Sequence, residues 1–475
     1  MMRRWLMAVM LVALAACSAV GPDYRRPADA AAAGKSANGP FLSGSEAAFV
    51  QEPVPGSWWR LYESPELDQL VQDALSANTD LRVAVANISR ANAGVDYADA
   101  AFRPATTVQA GTSYARRSAE EELRPGKPLA NNFVYGAGVG VSYQLDLFGQ
   151  ISRAVEAAHA DLGAARAAHD AVRVTVAAET TRAFLEVCSI GREIAVAERS
   201  VALQAKSREL TQALQRAGRG NSLDVTRSSV QEDQIRASLP ALQAGKRVAL
   251  YRLAVLTGRA PEDFPRHVET CEQEPVLTRS LPIGDGIDLM RRRPDIRRAE
   301  FELQSATARI GVATSDLYPK VILGASIGSV GLDKNFLAAD TFKFSLGPLV
   351  SWQFPDRTRT QARISAASAE QQAAFARFDG NVLNALKETE SALEVYARDL
   401  ERRALLESAR QKASRAARDT EQLFALGRQS YLPVLDATRT LIASEQAVAA
   451  VESKLASDQV NVFLALGGGW DTAAR

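Results

Sequence analysis

Three observations predict a mixed α and β membrane protein built from a tandem duplication, each copy carrying two strands and a set of long helices. The first is proline placement. No proline occurs between Pro128 and Pro240, or between Pro355 and Pro433. Both gaps are rich in Ala, Leu, Glu, Gln and Arg, which favour helix. Residues 150–217 and 357–426 therefore read as single helices, each about 100 Å long at ~1.5 Å per residue. The second is self-similarity. Ser142-Tyr143-Gln144 matches Ser351-Trp352-Gln353, and Glu179-Thr180 matches Glu388-Thr389. Leu214, Gly218, Leu223, Val225 and Gly258 match Leu423, Gly427, Leu432, Val434 and Gly467, all 209 positions apart. Upstream, Asp80 matches Asp295 and Pro104 matches Pro319, 215 apart. An offset held this long marks a repeat. The third is alternation. Phe133, Tyr135, Val139, Val141 and Tyr143 interleave with Val134, Gly136, Gly138, Gly140, Ser142 and Gln144. Phe342, Phe344, Leu346, Val350, Trp352 and Phe354 interleave with Lys343, Ser345, Gly347, Ser351 and Gln353. A period of two is the signature of a strand with one apolar face.

The elements follow in chain order. Arg3 and Arg4 precede an apolar run of twelve residues, Trp5 to Ala16. That run is too short to span a bilayer and suits a secretory signal at 1–16. Leu14-Ala15-Ala16-Cys17 resembles a bacterial lipoprotein box, in which the thiol takes a diacylglycerol and the freed amine is acylated. Three acyl chains exceed the two signals a stable anchor needs. Ser18 and Ala19 lack the Asp that retains lipoproteins in the inner membrane, so the outer membrane is expected. Residues 17–63, with Pro22, Pro27, Pro40, Pro53 and Pro55, read as an irregular extended arm. A helix is expected over 64–103, strands within 104–148, and long helices over 149–258. A connection follows at 259–285, then a helix over 286–318. Strands within 319–355, long helices over 356–467 and a short tail at 468–475 complete the chain.

Strands of ten or more residues fit a tilted membrane crossing. Four cannot close a barrel, since the smallest outer-membrane barrels have eight, and lipid tolerates no open edge. Membrane strands here imply that several chains share one barrel. Eight strands from two chains leave an interior filled by side chains; twelve from three leave a passage.

Composition removes other classes. With 56 Lys+Arg against 55 Asp+Glu the chain carries +1, so no field argues for nucleic acid. Losing Arg3 and Arg4 with the signal leaves −1. Three His and three Cys are too few for a multi-ligand metal site or a disulfide framework. His159, His169 and His267 are scattered, and no P-loop pattern occurs. No nucleophile, cofactor or ATP site is expected. Cys188, in a predicted helix, reads as a small buried hydrophobe and Cys271 as an unpaired loop thiol; pairing in an oxidising periplasm is the alternative.

Several motifs carry a resemblance that covers nearly the whole chain. They are Gly21-Pro22-Asp23-Tyr24-Arg25-Arg26-Pro27, Trp58-Trp59, Ser64-Pro65-Glu66-Leu67 and Asn78-Thr79-Asp80-Leu81-Arg82-Val83-Ala84. Further on come Leu145-Asp146-Leu147-Phe148-Gly149, Arg292-Arg293-Pro294-Asp295-Ile296 and Ala465-Leu466-Gly467-Gly468-Gly469-Trp470. In these the sequence resembles the TolC-like outer-membrane factors, in the NodT/OprM-type lipoprotein branch that serves RND efflux pumps.

The resemblance implies a homotrimer whose twelve-stranded outer-membrane barrel continues into a helical periplasmic tube. A belt would use the arm, the 259–285 connection and the C-terminus. It implies a passive duct working with a periplasmic adaptor and an inner-membrane RND pump, with covalent lipid at Cys17 and no other cofactor or metal. The adaptor would dock on the turns at Gly218, Arg219, Gly220 and Gly427, Arg428, Gln429. The gate would use Tyr431, Leu432, Asp436 and Arg439, with Asp224 tying neighbouring helices. Leu432, Asp436 and Arg439 share a helix face by spacing; a plain Asp436–Arg439 surface pair is the simpler alternative. Pro433 departs from the acidic or polar residue that other members carry there. The rival readings are a duct for metal ions or exported proteins, and a structural coiled-coil periplasmic lipoprotein.

Overall fold

The computed structural model describes residues 19–116, 118–120, 125–277, 279–332, 335, 337–352 and 357–468. Cys17, the signal sequence, Gln353, Phe354 and the tail from Gly469 lie outside the described residues. In chain order the elements begin with β1 (Phe49–Val50), α1 (Pro65–Ala77), α2 (Thr79–Ala100), β2 (Ala105–Ala115) and β3 (Asn132–Leu145). Next come α3 (Gln150–Arg216), α4 (Ser222–Arg236), α5 (Leu239–Leu256), β4 (Leu281–Pro282) and α6 (Gly286–Arg292). The chain ends with α7 (Pro294–Ser315), β5 (Lys320–Leu332), β6 (Phe342–Ser351), α8 (Arg357–Ala425) and α9 (Leu432–Ala465).

The chain forms two compact units, each drawing on both copies of the repeat. The first takes its residues from Met1–Pro27, Asn87–Ala165 and Arg298–Phe378. Its centre is a four-stranded antiparallel sheet in the order β2-β3-β5-β6. The two hairpins meet where β3 pairs with β5, Val139 opposite Ile327. Residues opposed in an antiparallel ladder point to the same face. The register therefore gathers Val108, Tyr114, Phe133, Val139, Val141, Leu323, Ile327, Phe342, Phe344, Leu346 and Val350 on one face, all of them exposed. The opposite face is mostly Gly, Ser, Thr and Gln, with apolar exceptions at Ile322 and Leu349 towards one end and at Val134, Val330 and Leu332 towards the other. Among the described residues the outer edges of β2 and β6 have no strand partner.

The Asp146 carboxylate ends β3 and starts α3 by accepting from Ile151 N, Ser152 N and Ser152 Oγ at 2.9, 2.8 and 2.6 Å. Gly149 supplies the positive φ of the turn, +75°. The start of the arm docks beside it. Val20 N donates to Phe148 O at 3.1 Å. Arg153 donates to Val20 O at 3.2 Å and to Asp23 at 2.6 Å. Tyr24 and Arg26 both bond the Glu300 carboxylate. Gly21, at φ +93°, lies so close to Gly311 that an added Cβ would sit 2.4 Å from its Cα.

The second unit takes its residues from Ala28–Ala86, Arg166–Arg297 and Asp379–Arg475. Its core holds Trp58, fully buried and stacked on Phe463 at 4.6 Å. A Cβ at Gly468 would lie 2.8 Å from the Trp58 ring, which accounts for the pairing of tryptophans and glycines in the two motifs. The arm is stitched to α8 by Ala31 N to Asp379, Leu42 N to Glu390 and Ser43 Oγ to Glu394. Parallel pairing of β1 with β4 joins the arm to the 259–285 connection.

Each copy opens with two helices, not the single one expected over 64–103 and 286–318. Asn78 ends α1, and its Oδ1 caps α2 by accepting from Asp80 N and Leu81 N. At the equivalent position Arg293 precedes Pro294, and a residue before proline is pushed into extended backbone, here ψ 115°. The descending helices also differ. Pro240 falls in the first turn of α5 and separates it from α4, whereas Pro433 falls in the first turn of α9, which runs unbroken.

Cys188 and Cys271 form a disulfide with Cα atoms 4.7 Å apart, which overturns the expectation of a lone hydrophobe and a free loop thiol. Gly191, one turn after Cys188, admits the connection: a Cβ there would sit 2.0 Å from Cys271 O. Nearby, Glu274 lies 3.9 Å from Arg192, which pairs with Glu452, and Arg403 reaches Glu452 at 3.4 Å. Burial raises the Glu274 carboxyl to about 7, Arg192 offsetting it only in part and Glu452 and Glu193 adding repulsion. The unfolded chain ionises such a group near 4.5. Its contribution to stability is therefore complete below that pH and lost as pH climbs through about 7, amounting to about 3 kcal/mol. Glu274→Gln is expected to raise the melting temperature at pH 8 and leave it unchanged at pH 4. Equal shifts at both values would mean that Glu274 does not titrate in this range.

Candidate functional site

The turns joining α3 to α4 and α8 to α9 are built alike. In the first, Arg219 N donates to Leu214 O at 2.9 Å and Gly218 N to Gln215 O at 3.0 Å. In the second, Arg428 N donates to Leu423 O and Gly427 N to Phe424 O, both at 2.8 Å. This is the Schellman arrangement, which needs positive φ at the first residue past the helix. Gly218 and Gly427 supply it at +70° and +68°. The same bonds close α5 at Gly258 and α9 at Gly467, so the repeat reproduces its helix ends as well as its helices.

Gly218, Arg219, Gly220, Gly427 and Arg428 are exposed. Gln429 is half-buried, its amide donating to Thr420 O at 2.6 Å. Asn221 caps α4 by accepting from Asp224 N. Asp224 itself lies 3.7 Å from Arg227 on its own helix, and among the described residues it makes no ion pair across helices.

Tyr431 does cross between helices. Its hydroxyl meets Ser207 Oγ of α3 at 2.7 Å, and its ring stands edge-on to Phe424 at 4.9 Å. Burial pushes its phenol up. The α3–α4 seam is held by polar groups that sequence reasoning missed. Buried Glu232 accepts from Arg208 at 2.7 Å and from Arg236 at 2.6 Å, and the Gln204 amide reaches Ser228 O at 3.4 Å.

Leu432, Asp436 and Arg439 come together as helical spacing requires. They wall a groove of ≈ 380 Å³ whose other side is Gln204, Arg227 and Gln231. All three are exposed or partly exposed. Among the described residues no ion pair joins Asp436 to Arg439, so the simple surface pair does not form. An apolar side chain, a carboxylate and a guanidinium thus stand on one helix face, and among the described residues neither charge makes an ion pair.

Among the described residues no three His, Cys, Asp or Glu side chains gather as a metal would require. No helix there is long and apolar enough to cross a membrane.

Residues 70–259 and 288–468 match the outer membrane efflux protein family. The toluene efflux pump outer membrane protein TtgC of Pseudomonas putida is 27% identical over 472 residues, covering 98% of this chain and 95% of that protein. Nodulation protein T of Rhizobium leguminosarum bv. trifolii is 26% identical over 457 residues, covering 96% and 95%. Among solved structures, the outer-membrane channel OprN superposes with a TM-score of 0.87 at 33% identity, covering 95% of this chain and 99% of that one.

Proposed function

The chain belongs to the outer membrane efflux protein family, and from that premise we propose that three copies share one passive duct carrying small molecules from periplasm to exterior. It is the outer-membrane channel component of an efflux system, in a family of transport channels rather than enzymes. The observation that carries the trimeric reading is the sheet. Among the described residues it has four strands, two outer edges without a strand partner and one face whose large apolar side chains are mostly exposed. In water that face is a liability, and in lipid those edges are forbidden. Joining edges between copies removes both problems, and twelve strands leave a water-filled passage.

In this reading the helices of three copies form the periplasmic part of the duct, closed at rest where Leu432, Asp436 and Arg439 converge. Three Asp436 carboxylates there disfavour anions and attract cations. An adaptor docks on the exposed turns at Gly218 and Gly427, and a proton-driven RND pump in the inner membrane supplies the energy. Cys17 carries the lipid, three positions before Val20, whose N–H donates to Phe148 O.

Protein purified from outer membranes should run as a detergent-resistant trimer with barrel-type circular dichroism, and the mature N-terminal peptide should have the mass of acylated Cys17. A monomer released by carbonate washing would overturn the duct and favour a structural lipoprotein.

A further inference from the structure

We propose that Lys343 forms a cationic ring inside the barrel and makes its outer end selective for anionic solutes, the class that carries carboxylate, sulfate or phosphate groups. The inference rests on the three-chain barrel proposed above.

The cross-strand register fixes the face. Lys343 opposes Gly328, Gly328 opposes Gly138, and Gly138 opposes Gln109, giving one row across the whole sheet. That row lies on the face opposite Phe344, Ile327, Val139 and Val108. If the apolar face meets lipid, the row meets the aqueous lumen. A recess of ≈ 510 Å³ on this face is lined by Thr107, Gln109, Gly138, Ser326, Gly328 and Lys343.

The charge inventory makes Lys343 stand alone. The four strands contain no Asp or Glu and two Lys. Lys320 opens β5 and is paired with Asp316 at 3.0 Å. Lys343 has no ion pair among the described residues, although Asp340 lies three positions before it. Within the protomer its two nearest positions along the row, Gly328 and Gly138, offer neither a counter-charge nor a side chain to cover it. Ser326 and Ser345 nearby bond each other at 2.8 Å and are neutral. One such cation per protomer, without an ion pair among the described residues, gives three around the lumen. Rings of charged side chains set the sign of ion selectivity, and lumen positions tune it in barrels of this kind. Lys343 sits one residue from the end of the β5–β6 ladder, on the side where those strands are joined by a loop. The ring therefore lies near the mouth, and its sign opposes that of the Asp436 carboxylates at the helix turns.

The test is the reversal potential in planar bilayers under a potassium chloride gradient. The protein carries Leu432→Ala and Asp436→Ala, so that the acidic ring does not dominate. Native Lys343 should give a chloride-to-potassium permeability ratio above one. Lys343→Gln should lower the ratio severalfold, and Lys343→Glu should bring it below one. Open channels with the same ratio in all three proteins would overturn the ring while leaving the barrel intact. If none of the three forms channels, the barrel reading fails and the ring with it. Detergent-resistant trimers of each variant show that any change in ratio is not lost assembly.

Discussion

Alanine at both Leu432 and Asp436 is expected to raise single-channel conductance in planar bilayers severalfold, with Asp436→Ala alone giving a smaller rise. The two side chains stand on one face of α9 and wall the same groove, and Leu432 is 50% exposed in the protomer. Removing them therefore leaves the core intact, and surface substitutions of this kind change stability by about 0.5 kcal/mol or less. The turn itself is held by other groups: the Schellman bonds at Gly427 and the Tyr431–Ser207 contact to α3. What is lost is the apolar and charged lining that, in the proposed trimer, closes the duct. Pro433 donates no backbone hydrogen bond and brings no polar side chain, so this closure has few other ties. In cells the double variant should also admit large hydrophilic antibiotics that the native protein excludes. Unchanged conductance together with unchanged leakage would remove these residues from the gate.

The parts of this fold that were legible are those governed by local rules. Proline is the strongest helix breaker, and its absence over two long stretches marked α3 and α8 to within a residue of their ends. Period-two alternation separated the two faces of β3 and β6 because each side chain there answers to one environment. Features settled by contacts between distant segments were not legible. The helix break at Asn78 depends on a side chain capping its own following turn; Asn before an acidic first turn is a local start signal, but helix-forming residues on both sides mask it. Cys188 and Cys271 are separated by 83 positions, and the close approach of Cys271 to Gly191 that brings them together is visible only in the fold. The motif from Gly21 to Pro27 was recognisable, but its work is done by Arg153 and Glu300, which no local pattern singles out. At the candidate gate, the shared face of Leu432, Asp436 and Arg439 followed from helical spacing. The anchoring of Tyr431 to Ser207 did not, because the two belong to different copies of the repeat.

Leu346→Arg is expected to abolish the trimer, with Ser345→Arg as its control. Leu346 lies at the middle of β6, is 84% exposed and belongs to the apolar face through its pairing with Ala325. In a soluble domain, arginine for so exposed a leucine costs almost nothing. On the lipid face of a barrel at mid-bilayer it costs roughly 2–4 kcal/mol, and three copies bring roughly three times that to one assembly. Such a sum is comparable to the ~5–15 kcal/mol stability of a typical domain, so the loss should be all or none. Ser345 precedes it by one residue and points to the other face, where arginine meets water in the proposed lumen. Ser345→Arg should keep the detergent-resistant trimer. Adjacent positions with opposite outcomes can arise only if the two faces of β6 meet different solvents. Trimers in both variants would place the sheet in water. Loss of trimer in both would assign β6 to a packed protein interface instead of lipid.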